Sequence, residues 1–262
     1  MFHSVTICGK NSWTDYHMVP VDGIYLPPPP ELKVTTIDLK AADGKIDIST
    51  LLTGYPVFNN RAGSLTYYIL NPYDYSEYAE VGGTYSLDDF PSAYDIFSQV
   101  MADIHGQYGK MYFEDDPDWE YEGRFTVSEY ATTEIRRSIT INYDVKPYKV
   151  KRGEPTSISL TSLSADVWAY NDLEPDILGY MPNNPAVTIS GLQSGDIGTV
   201  RILYPGSGQN PYSDPARTID ISTGVNVTDK TWANFLFYKR ARLAYKGPAG
   251  SSATFKFNQG RF

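Results

Sequence analysis

Apolar and polar residues alternate over short runs in this sequence, and Gly, Pro, Asn and Asp separate one run from the next. A half-buried β-strand satisfies that period and an α-helix does not. The runs are Ser4–Ile7, Val34–Leu39, Ser64–Leu70, Met111–Glu114, Gly123–Tyr130 and Ser138–Tyr143, then Ser157–Leu160, Ala186–Ser190, Gly198–Tyr204, Thr218–Ser222, Asn234–Tyr238 and Ala253–Phe257. Their spacing predicts a mainly β protein built as two β-sandwich domains. One segment breaks the period. From Ser92 to His105 the apolar residues Ile96, Phe97, Val100, Met101 and Ile104 recur at helical spacing, with Ser92 and Asp95 placed as a capping box. A single helix packed on the first domain's sheet and ending near Gly106 is expected, and a short helical turn fits Ser49–Leu52.

The segment Val145–Ser157 combines two prolines, a glycine and four basic residues, and holds the expected boundary between domains 1–150 and 151–262. The charge balance changes at the same place. Residues 1–150 hold 11 basic and 22 acidic groups, a net of −11, while residues 151–262 hold 11 and 9, a net of +2. An N-terminal half this acidic repels phosphate backbones, which sets nucleic acid aside as the main partner. Pro27–Pro30 is predicted to be an extended polyproline connector, and the acidic, tyrosine-rich stretch 71–90 an excursion from the sheet. The closing strand Ala253–Phe257 has two placements, in the second domain or returning to the first.

The lone cysteine, Cys8, has no partner within the chain and fits folding in a reducing cytoplasm. No stretch approaches a membrane span, and Met1–Gly9 lacks the features of a signal peptide. His3, His17 and His105 have no companions at metal-ligand spacing, so neither a metal nor another cofactor is expected; His105 is read as favourable to the helix dipole. Gly206-Ser207-Gly208 lies in a loop without a following helix and reads as a turn. Glu114–Glu122, EDDPDWEYE, places six carboxylates in nine residues. Calcium ligation or a glycosidase acid–base pair are its chemical readings. A solvated hairpin between MYF and RFTV is preferred, because Asp116-Pro117-Asp118 is turn chemistry. No catalytic residues are assigned, and the chain is read as a structural protein and not an enzyme. Tyr67, Tyr143 and Tyr204 are expected to be core or cross-strand partners; Tyr73, Tyr75, Tyr78 and Tyr85 are candidates for a contact surface.

Several stretches in order carry a resemblance. They are the strand and turn Phe2–Pro20, the DG-x-I-D-I run at Asp43–Ile48, LTGYPVFNNR at Leu52–Arg61, the junction His105-Gly106 after the helix, and the hairpin EDDPD-x-x-Y-x-GRF, closed by Ser138–Lys149. Over about 150 residues they resemble the N-terminal domain of the distal tail proteins of long, non-contractile-tailed bacteriophages and prophages. The resemblance implies a baseplate hub: a hexameric ring of identical subunits at the distal end of the tail, between the tail tube protein and the tail-tip protein that carries the fibre or lysin. Receptor-binding protein is a further implied partner, and the implied location is the virion tail tip, with synthesis in the host cytoplasm. Residues 151–262 resemble the galectin-like β-sandwich of the longer members. This half has no histidine, and Trp168 and Trp232 stand without the companions of a galectin sugar site.

A ring with a heterologous interface uses two different patches per subunit. The expected interface residues are Tyr55, Phe58, Asn59, Asn60, Arg61, His105 and Trp119, from the loop before β-rich residues 64–70 and from the helix-to-hairpin region. A carbohydrate-binding β-sandwich module that attaches to the host cell surface is the alternative function.

Overall fold

A computed structural model describes residues 3–21, 26–38, 45–51, 55–70, 92–132, 137–171, 181–204, 206, 215, 217–237 and 241–261. The protein is mainly β with one short helix among the described residues, and the chain clusters into two compact units, Met1–Arg152 with Phe262 and Gly153–Arg261. Residues 71–90, and with them Tyr73, Tyr75, Tyr78 and Tyr85, lie outside the described residues, as do Ser207 and Gly208.

Unit 1 contains β1 (Val5–Ile7), β2 (Lys10–Asn11), β3 (Met18–Pro20), β4 (Thr36–Asp38), β5 (Lys45–Asp47) and β6 (Arg61–Ile69). They are followed by α1 (Ala93–Asp103), β7 (Tyr108–Phe113), β8 (Trp119–Thr132), β9 (Arg137–Val145) and β10 (Lys149–Lys151). The main sheet runs β2-β1-β7-β8-β9-β6-β3, antiparallel at every step, and β10 adds to β8. Its inward positions alternate along the strands. Met111 and Phe113, Tyr121 and Phe125, and Ile139, Ile141, Tyr143 and Val145 are all buried. Helix α1 closes this core with Ile96, Val100 and Ile104. Ser92 caps it by accepting the Asp95 N–H at 3.2 Å, and its hydroxyl donates to the Asp95 carboxylate at 2.7 Å, so the two predicted residues meet at the cap through their side chains. The helix stops because Gly106 turns the chain at φ +75°, a conformation that favours glycine.

Unit 2 contains β11 (Thr156–Thr161), β12 (Ala169–Asn171), β13 (Ala186–Ser190), β14 (Gly198–Tyr204) and β15 (Arg217–Thr223). Then come β16 (Val227–Lys230), β17 (Arg242–Lys246), β18 (Ser252–Phe257) and β19 (Gly260–Arg261). Sheet β11-β18-β13-β16 and sheet β12-β17-β14-β15 share one core, in which Val187, Ile189, Ala253 and Phe255 meet Val200, Ile202, Leu243 and Tyr245. The strand whose placement the sequence left open, β18, pairs with β11 and β13 and belongs to unit 2.

The division between the two units falls within residues 145–157, after Arg152, and the segment carries structure of its own, since Val145 ends β9 and Lys149–Lys151 form β10 on β8. Asn234–Tyr238 is not a strand over its described residues: Phe235 N–H closes a turn onto Trp232 at 2.8 Å, and only Phe237 makes an isolated bridge, to Asn183. The alternation there comes from two fully buried phenylalanines plugging the core. Strand β17 was missed because RLAYK lacks β-branched residues, although Leu243, Ala244 and Tyr245 are all fully buried.

Strands β8 and β9 approach most closely at Gly123, where an added Cβ would meet the Asp144 carbonyl oxygen and lie 2.5 Å from the Val145 Cα. Gly123→Ala is expected to destabilise the protein by about 1–3 kcal/mol in urea unfolding. Gly224→Ala, whose Cβ meets nothing nearer than 3.5 Å, should change stability by less than about 0.5 kcal/mol. Equal effects would show that the strands do not pack this tightly.

Candidate assembly surface

The acidic hairpin is built by the β7–β8 pairing, with Met111 opposite Tyr121 and a turn in which Asp116 N–H donates to Phe113 O at 3.0 Å. Its carboxylates diverge onto separate partners. Ser4 Oγ donates to Glu114 at 2.6 Å, His3 Nδ1 lies 3.0 Å from Asp115, and Lys149 pairs with Asp116. Glu120 takes Lys110 at 2.5 Å and Arg152 at 4.0 Å, and Glu122 takes Lys146 at 2.7 Å. Carboxylates spread in this way do not share a cation, and among the described residues no group of three or more His, Cys, Asp or Glu could hold a metal ion. Three of these partners, Lys146, Lys149 and Arg152, come from the segment that holds the expected domain boundary. The hairpin is exposed at Glu114, Asp115 and Asp118, while Asp116, Glu120 and Glu122 are paired with cations.

Of the expected interface residues, Arg61 is the one turned inward, at 5% exposure. Its Nε donates to Pro147 O at 2.7 Å and its Nη1 to Pro27 O at 3.5 Å, and the guanidinium lies 5.5 Å from the Tyr121 ring centre. Burial pulls its pKa below the usual arginine value. Arg61 thus ties the polyproline run to the β9–β10 turn. Phe58 meets Tyr148 edge to face at 6.0 Å, and burial, with a smaller contribution from Tyr55, pushes the Tyr148 phenol up to about 12. Asn59 and Asn60 are exposed, Tyr55 and Trp119 are half-buried, and Lys149 Nζ lies 5.8 Å from the Trp119 ring centre.

His105 is exposed at the end of α1, and its Nδ1 accepts the Val127 backbone N–H at 3.1 Å. It caps β8 beside the irregularity between Val127 and Glu129.

Unit 1 also exposes a group of apolar side chains that nothing in the sequence pattern marks. Strands β4 and β5 form a two-stranded hairpin in which all six residues are exposed and Ile37 sits opposite Ile46. Leu32, Val34 and Leu51 are exposed beside it. Its stem is residues 31–33 against 57–59, through Lys33 N–H to Val57 O at 2.8 Å and Asn59 N–H to Glu31 O at 2.8 Å. The expected segment 55–61 is therefore the return limb of an arm. Alternation predicted the strand Val34–Leu39 but carried no signal for which faces would remain uncovered.

In unit 2 the outer face of sheet β12-β17-β14-β15 carries aromatic and cationic side chains. Arg201 stacks 3.8 Å from the Trp168 ring centre and forks onto Asp220 at 2.7 and 2.5 Å. Those hydrogen bonds raise the Arg201 pKa further. Lys246 lies 5.4 Å from the same indole, and Arg242 4.6 Å from the Tyr170 ring. Trp168 has neighbours that the sequence did not reveal.

The chain's architecture matches a solved structure along its whole length. That structure is the SPP1 Dit (gp 19.1) protein, described as a paradigm of the hub adsorption apparatus in phages that infect Gram-positive bacteria. The TM-score is 0.57 with 12% sequence identity, covering 99% of each chain. This chain has a Dit-like fold. No family model matches the sequence, and no curated protein matches it. At 12% identity the likeness is one of backbone architecture.

The hydrogen bond from Lys146 holds Glu122 below the ordinary carboxylate value of 4.5. A depressed folded-state pKa stabilises the protein above the unfolded value, and that stabilisation is lost as the pH falls through the folded value. Glu122→Gln is expected to lower thermal stability slightly at pH 7 and to leave it unchanged once the pH is low enough to protonate Glu122 in the native protein. An equal deficit at both pH values would show that the pair contributes nothing.

Proposed function

We propose that the chain is a structural hub protein of a phage or prophage tail. Six copies would form a ring at the tail tip, joining the tail tube protein to the tail-tip and receptor-binding apparatus. The full-length likeness to SPP1 Dit carries this reading, with the ordered motifs of residues 2–149 as independent support. The chain acts through its surfaces and has no enzymatic role. Its location is the virion, and unit 2 is a galectin-like appendage of the ring.

The β4–β5 arm supports a ring on physical grounds. An isolated two-stranded hairpin is marginal in water, and this one leaves the Ile37–Ile46 pair about half exposed, at 47% and 49%. A second copy that covers the arm supplies the missing burial. The arm and the surface receiving it are then the two different patches that a head-to-tail ring needs. Asn59 and Asn60 on the return limb, with Tyr55, Phe58, His105 and Trp119, are proposed to flank that contact.

Light scattering over a concentration series, with negative-stain images of the same sample, should give six-subunit rings with a central opening. Replacing both Ile37 and Ile46 by Asp should yield monomers with an unchanged circular dichroism spectrum. Rings that survive this double substitution would rule out the arm as an interface. Assemblies of another number, or unclosed chains, would overturn the hexameric hub.

A further inference from the structure

The hub reading makes no use of the outer face of sheet β12-β17-β14-β15. Strand alternation sends Val200, Ile202, Leu243 and Tyr245 into the core, and so turns Arg201, Arg242 and Lys246 outward. The register aligns Tyr170, Ala244, Arg201 and Asp220 in one row across the four strands. Lys246, Thr199 and Ser222 form the next row. Ala244 is fully buried although it points outward, so the aromatic and cationic side chains form a layer over the sheet.

We propose that this layer is a binding face for an anionic glycan, a pyranose chain bearing carboxylate or phosphate groups. Two aromatic rings on one face, Trp168 and the 43% exposed Tyr170, suit the C–H faces of successive sugar rings. Arg201 is held from two directions, by its stack on Trp168 and by its fork to Asp220, so its remaining N–H groups are presented to a ligand with little further loss of freedom. Asp220 offers acceptor oxygens to sugar hydroxyls from the same row. Among the described residues of this face Arg201 and Lys246 outnumber Asp220, and this excess of positive charge favours an anionic glycan over a neutral one. The face belongs to one subunit and works whether or not the chain forms a ring.

The test is affinity electrophoresis of the full chain in gels containing polygalacturonate, phosphomannan, neutral dextran or inorganic polyphosphate. Retardation by polygalacturonate or phosphomannan and not by dextran is expected, and which of the two retards identifies the charged group. Trp168→Ala and Tyr170→Ala should each weaken binding about tenfold. Lys230→Ala, which removes the cation 5.4 Å from Trp232 on the other sheet, should bind as the parent does. Tyr170 is exposed enough that its alanine variant tests the idea even if Trp168→Ala fails to fold. The proposal is overturned by no retardation in either charged glycan, by equal retardation in dextran, or by loss of binding in Lys230→Ala. Polyphosphate binding as strong as the glycans' and insensitive to Tyr170→Ala would also overturn it, because bare charge would then explain everything.

Discussion

Strand β8 has backbone donors and acceptors to satisfy on both edges along fourteen residues, and much of unit 1 is arranged to meet them. On one edge β7 serves residues 121–124, the Gln107 and Gly106 backbones serve Phe125, and the His105 ring serves Val127. On the other edge β10 serves Trp119 and Glu120, the Lys146 N–H serves Glu122, and β9 takes over from Gly123. The turn after α1 and the basic segment after β9 are both fixed by this demand. A side chain stands in for backbone at His105 because the chain is there leaving the helix and no strand is left to pair.

The same arrangement explains the electrostatics. The hairpin that opens β8 is dense in carboxylates, and β10 brings Lys149 and Arg152 beside it while the β9–β10 turn brings Lys146. Backbone pairing and charge neutralisation therefore act on the same two segments. The carboxylates of Glu114, Asp115, Asp116, Glu120 and Glu122 each take a different donor and do not converge on one point. Since these pairs are largely exposed, their contribution to stability is modest, and the buried strands carry most of it.

The two units present different kinds of surface. Unit 1 leaves an apolar arm uncovered, with the chemistry of a contact between protein subunits. Unit 2 leaves a cationic and aromatic sheet face, with the chemistry of a polar, charged ligand. The Dit-like fold gives these surfaces a common frame without dictating their side chains.

Much of the β architecture was legible in the sequence, because a period of two is a local property of each strand. The helix and its cap were legible for the same reason, since Ser92, Asp95 and the apolar stripe lie within a few turns of one another. What sequence could not reveal was set by groups distant along the chain. Arg61 is buried because Pro27 and Pro147 meet around it, and β17 is a central strand because β12 and β14 pair with its two edges. Ile37 and Ile46 obey the same alternation as core residues and yet remain exposed. Alternation states that a strand has an apolar face, while only the tertiary structure decides whether another layer lies against it, because burial is a property of what packs there and not of the strand itself.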